Sequence, residues 1–319
     1  MSVVTNKNNI FMLLILSTII CASILNLTAC STAEFVVTST SSPLNSLRDN
    51  SPKVLIPVPS NITTFDSPVF SIDASNSSRG YIMVNYTGNN EKVKLQFTTP
   101  EGITYTYLIT DYNKWTTYPL PGGGGFYKID LYELADSANE LYVTSFTTSI
   151  EVFLEDDFLP FLYPNNYVHF TPESLVTEKG KELSEVCSSD LEAVSNIYHF
   201  VIKNITYDVE KAETVTYGYV PSPDETLITK KGICFDYASL ITAMLRSQGI
   251  PTKLEVGYAG STYHAWISCY IDDIGWIDNI IQFDGKSWTL MDPTFAANDN
   301  SKVNDFIGSG TNYQVKYSY

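Results

Sequence analysis

The periodicity of the apolar residues changes near Pro160, and this change constrains the fold more than any other feature. Between Ser67 and Leu154, short aromatic and β-branched runs alternate with turn residues, and the period within the runs is two. This pattern predicts an antiparallel sandwich of about seven strands. After Pro160 the apolar residues recur at helical spacing, and further period-two runs follow. The sequence therefore predicts an α+β chain, with an all-β sandwich domain before a domain of helices followed by antiparallel sheet.

Three helices and four strands are predicted after Pro160. The second helix begins after a capping box at Ser189, and the third begins near Cys234 and stops at Gly249. The first helix is expected at residues 174–186. The strands are expected at residues 253–258, 262–271, 276–283 and 286–291. Asp284-Gly285 is a strong hairpin turn and is expected to join the last two strands.

The first 30 residues are typical of an export signal and not of a folded segment. An apolar run from Ile10 to Leu25 follows Lys7, and Leu27-Thr28-Ala29-Cys30 ends it with small residues before a cysteine. This lipobox predicts that Cys30 carries a lipid, while an uncleaved anchor or an ordinary secretory signal stays possible. The body of the protein is expected outside the cytoplasm in each case. A lipid at Cys30 would make it a bacterial lipoprotein anchored in the cell membrane.

The expected organisation has four parts. Residues 31–60 are rich in Ser, Thr, Pro and Asn without apolar periodicity, which is typical of a flexible tether. The boundaries that we expect are 1–30 for the signal peptide, 31–60 for the tether, 61–158 for the β-sandwich and 159–319 for the α+β domain.

Charge and composition restrict the partners. The chain has 19 Lys and Arg against 35 Asp and Glu, a formal charge of -16 that would repel a phosphate backbone, so no nucleic-acid partner is expected. Acidic clusters such as Glu155-Asp156-Asp157 lack the spacing of a calcium loop, and three histidines are too few and scattered for a zinc site. We therefore expect no metal and no cofactor.

Cys234 lies where a loop meets the third predicted helix. A thiol at that position feels the positive end of the helix dipole and the unpaired backbone amides, which favour the thiolate and could also bind an oxyanion. The alternative is that Cys234 is simply a small buried apolar residue. Strand alternation assigns Cys269 to the core, and a disulfide between Cys187 and Cys269 stays possible.

His264 is the candidate general base among the three histidines. His199 lies on the polar face of the second helix, and His169 precedes Thr171-Pro172 in the interdomain segment. Alternation along residues 262–271 directs His264 and Trp266 away from the core face, where Trp266 could form one wall of a cleft.

Asp292 is the candidate third member of the site. It ends a predicted strand on the same face as Trp288, and Pro293 stops the strand there. A carboxylate in this position can hold an imidazole in the required tautomer. The alternative is that an Asp before Pro only begins a turn.

These three segments resemble the nucleophile, histidine and aspartate motifs of the transglutaminase-like superfamily, in the family's order. They read Gly232-Ile233-Cys234-Phe235-Asp236-Tyr237-Ala238, Tyr263-His264-Ala265-Trp266 and Trp288 to Phe295. The resemblance covers about residues 173–296 and implies a papain-like fold for the catalytic domain. It also implies a thiolate at Cys234, general base and acid work by His264, and orientation of His264 by Asp292.

The resemblance implies acyl transfer from a protein or peptide amide, with hydrolysis slightly favoured at the outer cell surface. The alternatives are protein-glutamine gamma-glutamyltransferase cross-linking and a non-catalytic binding lipoprotein that keeps the fold. A second oxyanion donor is expected upstream of the cysteine, where Tyr207 is favoured over Tyr217 and Tyr219, although Tyr207 could only pack a helix end. Trp266 and Trp288 are substrate-cleft candidates that could equally pack the core. The sandwich could contact substrate or cell wall.

Overall fold

Strands, then helices, then strands again follow one another along the chain. The computed structural model describes residues 47–272, 274–278, 281–283, 288–290 and 313–319, with the backbone alone at 281–283 and 288–290. Sixteen strands, five α-helices and two short 3₁₀ helices (Ser77–Arg79 and Leu159–Phe161) are assigned within these residues. The α+β fold class predicted from the sequence is confirmed, with antiparallel sheets before and after the helices.

The first eight strands form two antiparallel four-stranded sheets. The strands are β1 (Thr64–Ser67), β2 (Phe70–Asp73), β3 (Tyr81–Tyr86), β4 (Val93–Thr98), β5 (Thr104–Leu108), β6 (Thr116–Pro119), β7 (Gly125–Asp136) and β8 (Leu141–Val152). Their orders are β1-β2-β3-β6 and β5-β4-β7-β8. Aromatic rings of one sheet pack against those of the other, and the ring centroids of Phe97 and Tyr118 are 5.8 Å apart. Alternate side chains of β4 are buried, as the period-two pattern predicts.

Five helices and two short strands follow. They are α1 (Leu175–Ser184), α2 (Asp190–Asn204), β9 (Thr206–Tyr207), α3 (Val209–Thr214), α4 (Pro223–Thr229), β10 (Lys231–Gly232) and α5 (Cys234–Ser247). The Ser189 hydroxyl accepts a hydrogen bond from the Glu192 N–H at 3.2 Å, so Ser189 caps α2 as predicted. The Glu192 carboxylate accepts from the Ser188 N–H at 2.7 Å instead of the Ser189 N–H, so the capping box is formed only in part. Helices α3 and α4 are not among the predicted elements, because six and seven residues carry little periodic signal.

Helix α5 is the centre of the part of the structure that follows the first eight strands. It packs against α1, α2, α4 and two strands of the following sheet, so every residue from Asp236 to Ser247 is buried. The sequence predicts only one apolar face, and the polar residues of the other face are buried as well. Arg246 is among them, and its guanidinium donates only to backbone carbonyls in the described structure: those of Tyr163, Thr252 and Tyr319.

The last sheet brings distant segments together. Its elements are β11 (Thr252–Ala259), β12 (Thr262–Ile271), β13 (Gly275–Ile277) and β16 (Tyr313–Ser318), in the order β13-β12-β11-β16, while β14 (Ile281–Phe283) pairs separately with β15 (Trp288–Leu290). The bounds predicted for β12 agree with the structure. The predicted strand at 276–283 is divided into β13 and β14. A Cβ on Gly257, opposite His264, would lie 2.0 Å from the Gln314 carbonyl oxygen, so glycine allows β16 to approach there.

Residues 47–60 have no regular secondary structure, yet they contact the body of the protein. The Lys53 N–H donates to the Ser247 carbonyl at 2.7 Å, and the Arg48 N–H donates to the Cys187 carbonyl at 2.8 Å. The domain boundaries given above stay a prediction. Across the described part of the chain, no helix combines the length and apolar character needed to cross a bilayer.

Candidate active site

Cys234 is the first residue of α5 and is partly buried. Its sulfur lies near the backbone N–H of Ala265 in β12, which lowers the pKa of the thiol. Ala265 follows His264 directly, so the backbone segment that carries the base candidate lies near the nucleophile candidate. Cys187 and Cys269 are buried free thiols, so the possible disulfide between them is not formed.

The surroundings of Cys234 do not favour the thiolate as strongly as the sequence argument implies. Burial raises the pKa of the thiol above its usual value, and the nearby charge of Asp236 raises it further. The backbone N–H groups of Ala265 and Phe235 lower the pKa but do not outweigh burial. Together these surroundings favour the neutral thiol.

His264 lies on β12, and 5% of its surface is exposed. Burial lowers its pKa to about 4, so the imidazole is neutral near pH 7. A neutral imidazole beside a neutral thiol is suited to accept a proton during the attack rather than to form an ion pair beforehand. A carboxylate near His264 would raise its pKa. Asp292, the predicted partner, lies outside the described residues.

Trp266 is fully buried and packs the interior. Its indole N–H donates to Glu255 Oε2 at 2.8 Å, and the Ser268 hydroxyl donates to the same oxygen at 2.7 Å. The Trp266 and His264 rings are nearly parallel, with centroids 6.3 Å apart. Strand β12 is buried on both faces from His264 to Cys269. On the face predicted to border a cleft, Trp266 contacts side chains of β11 and β16.

Tyr207 is the best placed of the three tyrosines considered as oxyanion donors. Strand β9 pairs with β10 so that Tyr207 lies opposite Gly232, two residues before the cysteine. Burial raises the pKa of Tyr207, and the charge of a Cys234 thiolate raises it further. Tyr217 is 69% exposed, and Tyr219 donates to Asp236. The role of Tyr207 stays a prediction.

Two further features near the thiol were not found from the sequence. Tyr263 is exposed at the start of β12, and a Cys234 thiolate would raise its pKa, so it borders the site. Asp236 is fully buried in the first turn of α5 and binds Lys211 and Tyr219. The three residues of this polar cluster are far apart in the chain, so no local pattern indicates it.

Three of the predicted site residues have side chains outside the described structure. Cys30 and Asp292 lie outside the described residues, and only the backbone of Trp288 is described, in β15. Among the residues whose side chains are described, no group of three or more His, Cys, Asp or Glu could hold a metal ion.

A separate cavity of about 430 Å³ lies elsewhere on the protein. Trp115, Asn166 and His169 are among its lining residues, whereas neither Cys234 nor His264 lines it. The chemistry expected of a thiol and an imidazole is therefore assigned to the end of α5 and not to this cavity.

Comparison with known proteins assigns the part of the chain around α5 to a family. Residues 178–279 match the model of the Transglutaminase-like superfamily. UPF0252 protein MJ1282 of Methanocaldococcus jannaschii is 36% identical over 117 residues, which are 32% of this chain and 33% of that protein. Kyphoscoliosis peptidase of Mus musculus is 28% identical over 127 residues, which are 40% of this chain and 19% of the peptidase. The chain thus matches only a third or less of these relatives' lengths.

Two solved structures are similar at a low level. A Cytophaga hutchinsonii protein provisionally described as a cysteine protease is 17% identical, with a TM-score of 0.34 and 68% of both chains covered. Red sea bream transglutaminase is 13% identical, with a TM-score of 0.25, 67% of this chain and 48% of that chain covered. These scores are too low to support an assignment, which rests on the family model. Residues 178–279, which carry Cys234 and His264, belong to the transglutaminase-like superfamily.

Proposed function

We propose that this chain is a cysteine-dependent acyl-transfer enzyme that cleaves protein or peptide amide bonds. The observation that carries the proposal is the packing of α5 against β12, where the Cys234 sulfur lies near the N–H of the residue that follows His264. Membership of residues 178–279 in a superfamily of thiol enzymes supports it. The exposed Tyr263 at the border of the site offers an apolar contact for a substrate chain.

In the proposed reaction, His264 takes the thiol proton as the Cys234 sulfur attacks the amide carbon. A carbon–sulfur bond forms, and the negative charge moves to the carbonyl oxygen, which backbone N–H groups and the Tyr207 hydroxyl would stabilise. The carbon–nitrogen bond then breaks, and the imidazolium gives its proton to the departing amine. An acyl-enzyme remains. Asp292 would orient His264 and stabilise its charged form in this scheme.

The acceptor decides the overall reaction. Water attacking the acyl-enzyme completes hydrolysis, whereas an amine completes transamidation. We place hydrolysis first because water needs no binding site of its own and an amine acceptor does. Glutaminyl cross-linking is the second candidate, since both reactions share the same acyl-enzyme.

Thiol labelling tests whether the site is catalytic. The rate of iodoacetamide labelling at Cys234 is measured against pH in the natural protein and in His264→Ala, with His199→Ala as the matched histidine control. Cys187 and Cys269 are buried thiols in the same protein and serve as internal standards. We expect Cys234 to be labelled faster than Cys187 and Cys269, at a rate that His264→Ala lowers and His199→Ala does not. Slow labelling of Cys234, at a rate that does not change in His264→Ala, would refute the proposed enzymatic activity.

Product analysis separates the two reactions. A glutamine-containing peptide is offered with and without a fluorescent amine, and Cys234→Ala is the blank. Cleavage or deamidation without amine incorporation supports hydrolysis. Amine incorporation that depends on Cys234 would contradict the proposal of hydrolysis and support cross-linking instead.

We also propose that the enzyme acts at the outer cell surface and is held there by a lipid on Cys30. The proposal rests on the lipobox and on the tether that follows it. In a bacterial host, labelled palmitate should be incorporated into the natural chain and not into Cys30→Ser. Equal incorporation into both would contradict the anchor.

A further inference from the structure

We propose that Asp236, Lys211 and Tyr219 form a charge-balancing cluster that sets how readily the Cys234 thiol ionises. The inference rests on the proposed function, because it gives the cluster a task at the same site. The three side chains are positioning residues: they act on the thiol and do not touch the substrate.

Asp236 is the centre of this charge-balancing cluster and has no exposed surface. Its Oδ2 accepts a hydrogen bond from the Ile233 N–H at 2.8 Å and lies 2.7 Å from the Lys211 ammonium. Its Oδ1 accepts a hydrogen bond from the Tyr219 hydroxyl. A carboxylate that loses its water shell needs partners of this kind, because an isolated buried charge costs several kcal/mol. The cluster therefore holds an ion in the first turn of α5.

Lys211 ties α3 to the cysteine's helix. Its ammonium is 2.6 Å from the Tyr219 hydroxyl and 4.3 Å from the centre of that ring. The Lys211 backbone N–H is held by the Asp208 side chain at the start of α3. Three segments of the chain thus meet at Asp236, and the lysine is the only cation among the partners that the described residues give it.

The placement of the cluster makes it electrostatically relevant to the thiol. Asp236 lies two residues after Cys234, and its charge raises the pKa of that thiol. Among the described residues, Tyr207 and Tyr263 are the other titratable groups that interact with Cys234, and His264 precedes Ala265 in β12. The raised tyrosine pKa values and the lowered His264 pKa favour the neutral forms of these three groups near pH 7. Of the groups named, only Asp236 and Lys211 then carry charge.

A capping role alone does not explain the arrangement. A short polar side chain such as Asn could accept the Ile233 N–H without bringing a charge into the interior. The protein instead buries a carboxylate beside a thiol and places a lysine against it. Gly232 makes room for this carboxylate, because a Cβ there would lie 2.6 Å from the Asp236 Cβ. The lysine offsets a charge that would otherwise oppose thiolate formation.

Two substitutions should shift the apparent pKa of the Cys234 thiol in opposite directions. Asp236→Asn keeps a cap, removes the anion and leaves Lys211 charged, so the apparent pKa of Cys234 should fall. Lys211→Met leaves the carboxylate uncompensated at the alkaline pH where a thiol titrates, so the apparent pKa should rise. Each shift should be about one pH unit, as expected for a charge several ångströms away at an intermediate dielectric.

The experiment measures the rate constant of iodoacetamide labelling at Cys234 against pH in the full chain, with mass spectrometry to identify the peptide. Lys211→Arg keeps the charge and should behave as the natural protein, and Lys203→Met removes an exposed charge on α2 as a matched control. The double variant Asp236→Asn with Lys211→Met should lie between the single variants. A structural role alone would not give shifts of opposite sign.

Shifts in the same direction, or no shift in either variant, would overturn the inference. If Lys211→Met does not fold, Asp236→Asn decides alone: a fall in the apparent pKa supports the inference, and no change or a rise overturns it. Failure of the proposed function has a different signature, since labelling would then be indifferent to His264→Ala in the otherwise natural protein.

Discussion

The two ends of helix α5 bury opposite charges and satisfy them differently. At the beginning, the Asp236 carboxylate binds the partly exposed Lys211, the Tyr219 hydroxyl and the Ile233 N–H. At the end, the Arg246 guanidinium binds only backbone carbonyl oxygens within the described residues. Both charges have the sign that the helix dipole stabilises. The partners differ, because one end uses a second ionisable group and the other uses the main chain.

This difference separates a reactive end from a structural end. An ion pair near a thiol can be changed by one substitution and transmits its charge to the sulfur. The carbonyls of Tyr163 and Thr252 cannot change their charge, and burial lowers the pKa of Arg246 to about 9. Arg246 instead connects α5 to β11, to Tyr163 before the helices and to Tyr319 after β16.

The largest effect should come from the structural end. Arg246→Met removes the donor for the carbonyls of Tyr163, Thr252 and Tyr319 and leaves them buried without it, so the free energy of unfolding should fall by about 3–5 kcal/mol. Urea denaturation followed by tryptophan fluorescence measures the loss. The pH profile of Cys234 labelling in the folded variant should stay that of the natural protein. A loss below about 1 kcal/mol would show that the carbonyls find other donors.

The next largest effect should be a loss of stability in acid, through the buried His264 on β12. The pKa of His264 is about 4 when folded, against 6.5 for an ordinary histidine, so the unfolded chain binds a proton first as the pH falls. Stability from this group is complete above pH 6.5 and is lost as the pH falls towards 4, by about 3 kcal/mol.

Denaturation of His264→Gln between pH 7 and pH 4 tests this dependence. The variant should lose less stability over that range than the natural protein, while His199→Gln, at an exposed site on α2, should not differ from it. Equal acid sensitivity of His264→Gln and the natural protein would contradict a buried neutral imidazole.

A smaller effect should follow from removing one hydroxyl at the reactive end. Tyr219→Phe deletes a hydrogen bond to a carboxylate, and bonds to charged groups contribute about 1.5–3 kcal/mol. We expect the free energy of unfolding to fall by about 2 kcal/mol in urea denaturation. An unchanged midpoint would mean that Asp236 does not depend on this donor.

The smallest effect should come from Tyr237→Phe, a matched tyrosine control on α5. The Tyr237 hydroxyl donates to the neutral Ile205 carbonyl at 2.6 Å. Loss of a hydrogen bond between neutral groups should lower the free energy of unfolding by about 1 kcal/mol. The same denaturation series compares the two phenylalanine variants. A larger loss for Tyr237→Phe than for Tyr219→Phe would remove the distinction between charged and neutral partners.

Local patterns predicted the elements that local forces determine. The Ser189 cap starts α2 because its hydroxyl satisfies the Glu192 N–H within one turn. Strand β12 has the predicted bounds since its period-two pattern is continuous. The transglutaminase-like resemblance was likewise recognisable, since its motifs are contiguous, and the family match contains Cys234 and His264.

Contacts between distant residues were not predictable. Strand β16 pairs with β11 across a long separation, and nothing in residues 313–318 indicates that partner. The buried Arg246 and the pairing of Lys211 with Asp236 depend on neighbours that only the folded chain supplies. Asp292 and Cys30 lie outside the described residues, and their roles stay predictions.

The position of Tyr319 has a consequence for the order of folding. Its carbonyl accepts hydrogen bonds from Arg246, 73 positions earlier, and from the Leu254 N–H, while β16 covers one edge of β11. During synthesis, α5 and β11 therefore leave the ribosome well before the segment that completes them. Until that segment arrives, an unpaired strand edge and an unsatisfied guanidinium are open to association with other chains. The structural end of α5 is thus completed late, and a chain interrupted before residue 313 should aggregate rather than stay in solution.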